Sequence, residues 1–573
     1  MLRSAFFGEH GIHFSCDRVR REGGTNSNAY LAALLVVTAY VTLLTVGCRT
    51  GLWKRFGVVL LGPVMMFRTK RGRGFIERVA RPRRVWTTLG SLAVFITSAS
   101  AAALTAFLVL QAADSAEEGA AFEVEPIAHG EPPARFAATA LYVVVSFAAA
   151  IAIHELAHGV MAASAGIRLL HTGVLVFVIP VGAFVETDDE GLRNAPRRSR
   201  RRLYASGPAS NLVMAGVFFL VLVGLVGPAA RPLNPGAVVT DVALDSPAAV
   251  YGIEPWDEIV SVGGAPVLNN TQMRQASFAE PGEPVRVEMF RGSTRITVYV
   301  PGGVVIHAVY EGPGHDAGLK PGMIVRSLNR TLIHTISEFR SATENASMHE
   351  PVEITVLSYY KSANGGKGGY LVNTSVATVN LTSKWLYYWT HYPWANREEY
   401  KGVSFMAVSV SPLGVWTEDL ERLTSRVARP FDSGEDIMET FRDFVGLPLA
   451  GYSPVTNPVA ELYGPGGVLG FMPSSLYWTV LNLLYWLFWA NLMLGLTNAL
   501  PALPFDGGYL VRDLLRGFAA WRGRRVPGLD ATIGRRLFTE ERVDDIMLFV
   551  SGMLVFLVAY LLLEGNLRNA LGA

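Results

Sequence analysis

Apolar residues in this chain gather into six runs separated by charged loops. Each run is close to the twenty or so residues that cross a bilayer as a helix. The runs are Tyr30–Gly47, Thr88–Ala112, Ala137–Ala162, Ser206–Val226, Ser474–Thr497 and Asp545–Leu563. A shorter apolar stretch, Gly57 to Phe67, cannot cross as a helix and carries Gly62-Pro63 at its middle, which predicts an interfacial or re-entrant hairpin. The stretch Gly166 to Glu190 is β-branched and aromatic and is broken by Pro180 and Gly182, which predicts a pair of strands. Strands at membrane depth must pair their backbone groups, so this hairpin should line a protein cavity. A free edge there would suit an extended peptide added as a further strand.

Between the fourth and fifth runs the pattern changes to alternating short elements, from Pro228 to about Gly470. This segment holds an internal repeat, VVTDVALDSPAAVYGIEPWDEIVSVGGAPV (Val238–Val267) and VVIHAVYEGPGHDAGLKPGMIVRSLNRTLI (Val304–Ile333). Each copy reads as a strand, a small-residue loop, a short helix, G-[IL]-x-P, and a strand ending in a turn. The pair resembles two PDZ domains in tandem. The resemblance implies binding of extended peptides or chain ends in a groove between a strand and a helix. From Ser383 to Gly470 the chain is aromatic-rich at KWLYYWTHYPW and predicts one amphipathic helix near Gly434–Val445, a juxtamembrane module without assigned chemistry.

The expected architecture is thus a polytopic α-helical membrane protein of about six spans, with an inserted extracytoplasmic α+β region of two PDZ-like domains. Its parts are a polar tail (1–29), an N-terminal transmembrane pair with a basic loop (30–136), and core helices with a membrane hairpin (137–227). The PDZ-like domains (228–302 and 303–382), the juxtamembrane module (383–470) and a C-terminal transmembrane core (471–573) follow. Composition agrees: the 573 residues are 50% hydrophobic and only 17% charged. The net charge of +2 says little, but its distribution orients the chain. Lys and Arg crowd the loop from Cys48 to Arg84 and the stretch Arg193–Arg202, which predicts both as cytoplasmic. The loop with Asp114, Glu117, Glu118, Glu123, Glu125 and Glu131 then lies outside, as does the Pro228–Gly470 segment. N-x-[ST] sequons at Asn269, Asn329, Asn345, Asn373 and Asn380 fall only in that segment. The N-terminal tail, with Arg18, Arg20 and Arg21, is placed outside against the rule. The basic run after Phe67 has few aromatics to stack bases, so it predicts contact with anionic lipid and no nucleic acid. Two cysteines, Cys16 and Cys48, imply no disulfide framework, and His10, His13 and Cys16 fit no standard metal spacing.

The third run ends in His154-Glu155-Leu156-Ala157-His158. On a helix, positions i and i+4 lie on one face, so the two imidazoles can share a metal and Glu155 can hold a water beside it. Three ionisable side chains inside an apolar span are costly and rarely lack a role. The fifth run leads into NALPALPFDGG, Asn498 to Gly508, where Pro501 and Pro504 stop the helix and Asp506 sits in a bend. His154 lies about 17 residues into its run, roughly 25 Å at 1.5 Å per residue, so both motifs reach the same depth near the cytoplasmic side. His154, His158 and Asp506 then give Zn²⁺ two nitrogens and an oxygen, with Glu155 as general base. Asn498 is a candidate for holding the substrate backbone or an oxyanion. The fourth run opens with SGPASN, read as an ordinary helix start, and Asn211 inside it is read as helix–helix glue.

HELAH at 154–158, GPASN at 207–211 and NALPALPFDGG at 498–508 resemble the site-2 protease family of intramembrane zinc metalloproteases, in a prokaryotic or archaeal arrangement with tandem PDZ-like domains. Where that family has L-D-G, this chain has Phe505-Asp506-Gly507. The resemblance implies zinc held by His154, His158 and Asp506, the base Glu155, and a functional asparagine at Asn498. It implies regulated proteolysis of a membrane-spanning protein, with the PDZ-like pair as an external filter and the site towards the cytoplasm of the cell membrane. The alternative is a non-catalytic membrane scaffold that binds peptides or chain ends; the intact Glu155 argues against it.

Overall fold

The computed structural model describes residues 26–55, 57–61, 63–118, 133–177, 179–348, 350–361, 370–392, 396–419, 437–448, 459–525 and 540–571. The tail with His10, His13 and Cys16 lies outside them, as does most of the acidic loop. The chain divides into a membrane unit (Asp17–Pro228, Gly434–Pro454 and Trp478–Ala573) and a β-rich unit (Ala229–Ser433 with Val455–Tyr477).

The membrane unit carries seven long helices among the described residues. They are α1 (Asn26–Arg49), α2 (Arg83–Glu118), α3 (Pro133–Ser164), α4 (Arg197–Val221), α5 (Ser474–Ala499), α6 (Asp506–Arg525) and α7 (Glu540–Leu571). Five stretches among the described residues are long and apolar enough to cross a membrane: Arg83–Ala113, Thr139–Ser164, Arg197–Ala229, Ser474–Ala499 and Arg542–Leu561. They match five of the six expected runs. The first run, Tyr30–Gly47, forms α1 but is not among the five. One expectation needs correction: the helix holding SGPASN does not start at Ser206. It starts at Arg197, on the basic stretch, so Gly207 and Pro208 lie inside α4. The charged first turns mislead a reading based on apolar runs, because they extend the helix beyond its lipid-compatible part.

Both predicted hairpins form, and they join. Strands β1 (Val58–Leu61), β2 (Val64–Thr69), β3 (Leu169–Phe177) and β4 (Ile179–Thr187) make one antiparallel sheet in the order β1-β2-β3-β4. β2 and β3 have strand neighbours on both sides and so pair their backbone groups, while β1 and β4 are the edges of the sheet. Gly173 is needed where β2 and β3 pair, because a Cβ there would fall on the Phe67 carbonyl oxygen. The Tyr40 hydroxyl of α1 donates to the Pro63 carbonyl at 2.6 Å, fastening that helix to the first hairpin. Ile76, Val160, Met161, Ile167, Leu169 and Leu203 form the buried cluster that seats the sheet against α3 and α4.

The β-rich unit holds two sheets of matching design. Its main strands are β5 (Ala237–Val242), β6 (Glu258–Val262), β7 (Pro284–Arg291), β8 (Thr294–Pro301), β9 (Val304–Val309), β10 (Ile324–Leu328), β11 (Val352–Lys361), β12 (Tyr370–Val379), β13 (Val408–Pro412) and β14 (Val415–Asp419). The first sheet runs β8-β7-β6-β5-β14 and the second β12-β11-β10-β9-β13. Alternating side chains of each build separate cores, around Val239, Ile259 and Met289 in one and Ile306, Val325 and Ile354 in the other. The last strand of each sheet comes from two consecutive strands, β13 and β14, joined by Leu413-Gly414 within the stretch read as a juxtamembrane module. The amphipathic helix expected near Gly434–Val445 occurs at Ile437–Gly446, and its Phe444 packs on Tyr485 and Phe488 of α5.

Candidate metal centre

Helix α3 presents His154 and His158 one turn apart, their ring centroids 4.7 Å from each other. Asp506 is the first residue of α6, where the helix dipole favours a carboxylate. The expected bend occupies the residues just before it. Gly507 and Gly508 let that bend fold back on itself: a Cβ on Gly507 would meet the Leu500 carbonyl oxygen at 2.5 Å, and one on Gly508 the Ala502 carbonyl oxygen at 2.5 Å. Asp506 Oδ2 lies 3.0 Å from His154 Nε2 and 3.0 Å from His158 Nε2. The two Nε2 atoms are 3.1 Å apart.

Protons satisfy these three atoms only by making both ring nitrogens donors to one carboxylate oxygen, with the two N–H groups crowded 3.1 Å apart. A cation at their meeting point satisfies all three. Among the described residues, His154, His158 and Asp506 form the one such group of His, Cys, Asp or Glu side chains. Two imidazole nitrogens and one carboxylate oxygen are a donor set that suits zinc with a position left open.

The surroundings fix the rings. His158 Nδ1 lies 2.9 Å from the Leu203 carbonyl oxygen of α4. An N–H at Nδ1 therefore donates there, leaving the Nε2 lone pair for the centre. Ser206 Oγ donates to the same carbonyl at 2.7 Å. Gly207 faces the two rings directly: a Cβ there would lie 2.6 Å from His154 Nε2 and closer still to His158 Nε2. Asn211, fully buried, donates from Nδ2 to the Ala150 carbonyl of α3 at 3.4 Å, joining α4 to α3 as the glue it was read to be.

Glu155 points towards the sheet. The Val185 N–H of β4 donates to its Oε2 at 3.2 Å, so the edge strand orients the carboxylate. Asn498 is not among the converging groups. Its Nδ2 donates to the Leu494 carbonyl, 3.0 Å away along its own helix. Reading by motif thus places His154, His158 and Asp506 together and overlooks Leu203, Ser206, Gly207 and Val185. The signal for two of these was present, since Ser206 and Gly207 open SGPASN; a backbone carbonyl such as Leu203 leaves no mark on a sequence.

The chain is similar to several known proteins. It is 33% identical over 128 residues to a membrane-bound transcription factor site-2 protease homolog of Arabidopsis thaliana, covering 22% of this chain and 25% of that protein. It is 26% identical over 238 residues to a putative zinc metalloprotease of Nostoc sp., covering 35% of this chain and 64% of that protein. It is 28% identical over 156 residues to an uncharacterized protein of Methanocaldococcus jannaschii, covering 27% of this chain and 40% of that protein. The matched stretches therefore span less than two thirds of each relative. The sequence model of Peptidase family M50 matches residues 142–528, well over half of the chain and all the residues of the centre just described. With that match, the chain belongs to Peptidase family M50.

Proposed function

We propose that this protein is an intramembrane zinc metalloprotease that cuts membrane-anchored proteins within or beside a transmembrane segment. The observation that carries the reading is the convergence of His154 Nε2, His158 Nε2 and Asp506 Oδ2 within 3.1 Å on helices of the membrane unit. These three residues hold one zinc ion. When bound, zinc polarises a peptide carbonyl and acidifies water. Glu155 would serve as general base, its carboxylate taking a proton from the attacking water and passing it to the leaving amine. The Val185 N–H keeps the Glu155 carboxylate turned to its task. A transmembrane helix hides its amide bonds, so the substrate must unwind, and the free edge of β4 offers backbone partners to the unwound stretch. Asn498 retains Oδ1 and one amide hydrogen for a substrate backbone.

The architecture completes the reading. Helix α1 is a sixth crossing. The two sheets of the β-rich unit are PDZ-like domains on the outer side, and they admit substrates already trimmed there. The centre lies towards the cytoplasm of the cell membrane, so cleavage releases a cytoplasmic fragment. The test uses the full chain in membranes carrying a model transmembrane substrate. Glu155→Gln should lower cleavage by about 10²–10⁴-fold while zinc stays bound, and cleavage at the wild-type rate would overturn the mechanism.

A further inference from the structure

Two helices meet along a ladder that ends on the metal centre. On α4 the residues Arg200, Tyr204, Gly207 and Asn211 follow the spacing of one helix face. On α6 the residues Asp506, Tyr509 and Asp513 do the same. The rungs match in opposite order, so the helices run antiparallel. The lowest rung is ionic: Arg200 Nη2 lies 2.9 Å from Asp513 Oδ1, and Arg200 Nε donates to Oδ2 at 3.4 Å. Arg201 Nη2 also donates to the Asp513 carbonyl oxygen at 2.7 Å. The middle rung stacks Tyr204 on Tyr509, centroids 5.5 Å apart and planes within 25°. At the top, Gly207 faces the two histidine rings that meet Asp506.

Asp513 is 5% exposed, and a buried carboxylate needs its partners. A bidentate Arg–carboxylate pair is also the most direction-specific ion pair available to side chains. From an adjoining face of α6, Arg512 pairs with Asp544 of α7 at 2.6 Å, and Arg516 with the same carboxylate at 3.1 Å. Helix α6 is thus held from two sides. The contact to α4 is the one that shares a helix with the groups against the histidines: Leu203, which takes the His158 Nδ1 hydrogen, and Gly207.

We propose that Asp513, through its pair with Arg200, is a positioning residue. It sets the axial register of α6 against α4 and so holds Asp506 at the level of His154 and His158. A slip of α6 by one residue would carry Asp506 about 1.5 Å along the axis and turn it by about 100°. Either change takes the carboxylate off the two nitrogens. The ionic rung lies about two turns from the centre and touches none of its three donors, so it acts only through the helix.

This inference rests on the metal reading above, and the test separates the two. Zinc content and affinity are measured by chelator competition on the full-length chain in nanodiscs. Wild type, Asp513→Asn, Arg200→Gln and the swapped pair Arg200→Asp with Asp513→Arg are compared, with circular dichroism as the control for folding. Each single variant should bind zinc about tenfold or more weakly with its helix content intact, and the swapped pair should recover most of the affinity. Should Asp513→Asn fail to fold, Arg200→Gln examines the same rung from its more exposed side. Zinc affinity unchanged in the folded single variants overturns the positioning role. So does a swap that recovers nothing while both singles are weakened. A wild-type chain without stoichiometric zinc overturns the metal reading itself, and the inference falls with it.

Discussion

One site in the membrane unit and one in the β-rich unit hold buried acidic side chains in opposite ways. In the membrane unit, His154, His158 and Asp506 come from two helices and meet at one point, each within 3.1 Å of the others. In the β-rich unit, Glu258 is buried alone at the start of β6. Asn234 Nδ2 donates to its Oε2 at 3.3 Å, and its Oε1 has no hydrogen-bond partner among the described residues. The second sheet shows what that position tolerates. Ile324 opens β10, six residues after Gly318 as Glu258 is six after Gly252, and it too is fully buried. An apolar residue fits the site, so the fold does not need the carboxylate. Converging buried charges point to chemistry; a lone one is a cost in stability carried by one copy of a repeat.

The sharpest way to break this contrast is to remove a converging group. Asp506→Ala should abolish stoichiometric zinc and with it cleavage, as read by metal analysis of the purified chain. Full zinc occupancy in that variant would leave the convergence without a purpose. Glu155→Gln comes next, with zinc retained and cleavage of a transmembrane substrate reduced by about 10²–10⁴-fold.

Gly207→Ala should have a smaller effect and is more discriminating. Alanine normally favours a helix over glycine by roughly 0.5–1 kcal/mol. Here its methyl would sit 2.6 Å from His154 Nε2. Zinc affinity should fall by about tenfold or more, and thermal stability should fall with it, because the two held rings must shift to make room for the methyl and this outweighs the helix preference. A variant that binds zinc normally would show that α4 does not wall the centre.

The smallest effect concerns Glu258. Burial pushes its carboxyl up to about 7 from an ordinary value near 4.5, and the single bond from Asn234 only partly offsets this. The folded state therefore holds the proton more tightly than the unfolded chain. The stabilisation is complete below about pH 4.5 and is lost as pH rises through about 7. Glu258→Gln should flatten that part of the stability curve for the β-rich unit, and Glu258→Ile should raise stability at neutral pH, by on the order of 2 kcal/mol. Melting of the wild type that does not change between pH 4.5 and 7.5 would count against a buried, proton-binding Glu258.

Much of this molecule was legible in its sequence. Hydrophobic run length picked out five helices long and apolar enough to cross a membrane, because lipid demands about twenty apolar residues of any helix that spans it. The helical repeat put His154 and His158 on one face, and the motif 348 residues further on holds the Asp506 that the fold brings to them. The internal repeat announced two similar sheets before any strand was seen. Local steric rules explain these successes, since each depends on spacing along the chain.

Contacts between distant segments were decided by the tertiary structure alone. The β1–β2 and β3–β4 hairpins are separate in sequence and become one sheet because β2 and β3 pair, which satisfies the backbone groups along the edge they share. The consecutive strands β13 and β14 go one to each sheet of the β-rich unit, a split that no pattern within the two strands encodes. The Leu203 carbonyl that receives the His158 hydrogen, and the space that Gly207 leaves beside both rings, depend on how α4 packs against α3. The sequence by itself determined which residues could hold a metal, because ligand chemistry belongs to side chains. Their meeting within 3.1 Å required the folded chain, because only helix packing sets distances between residues hundreds of positions apart.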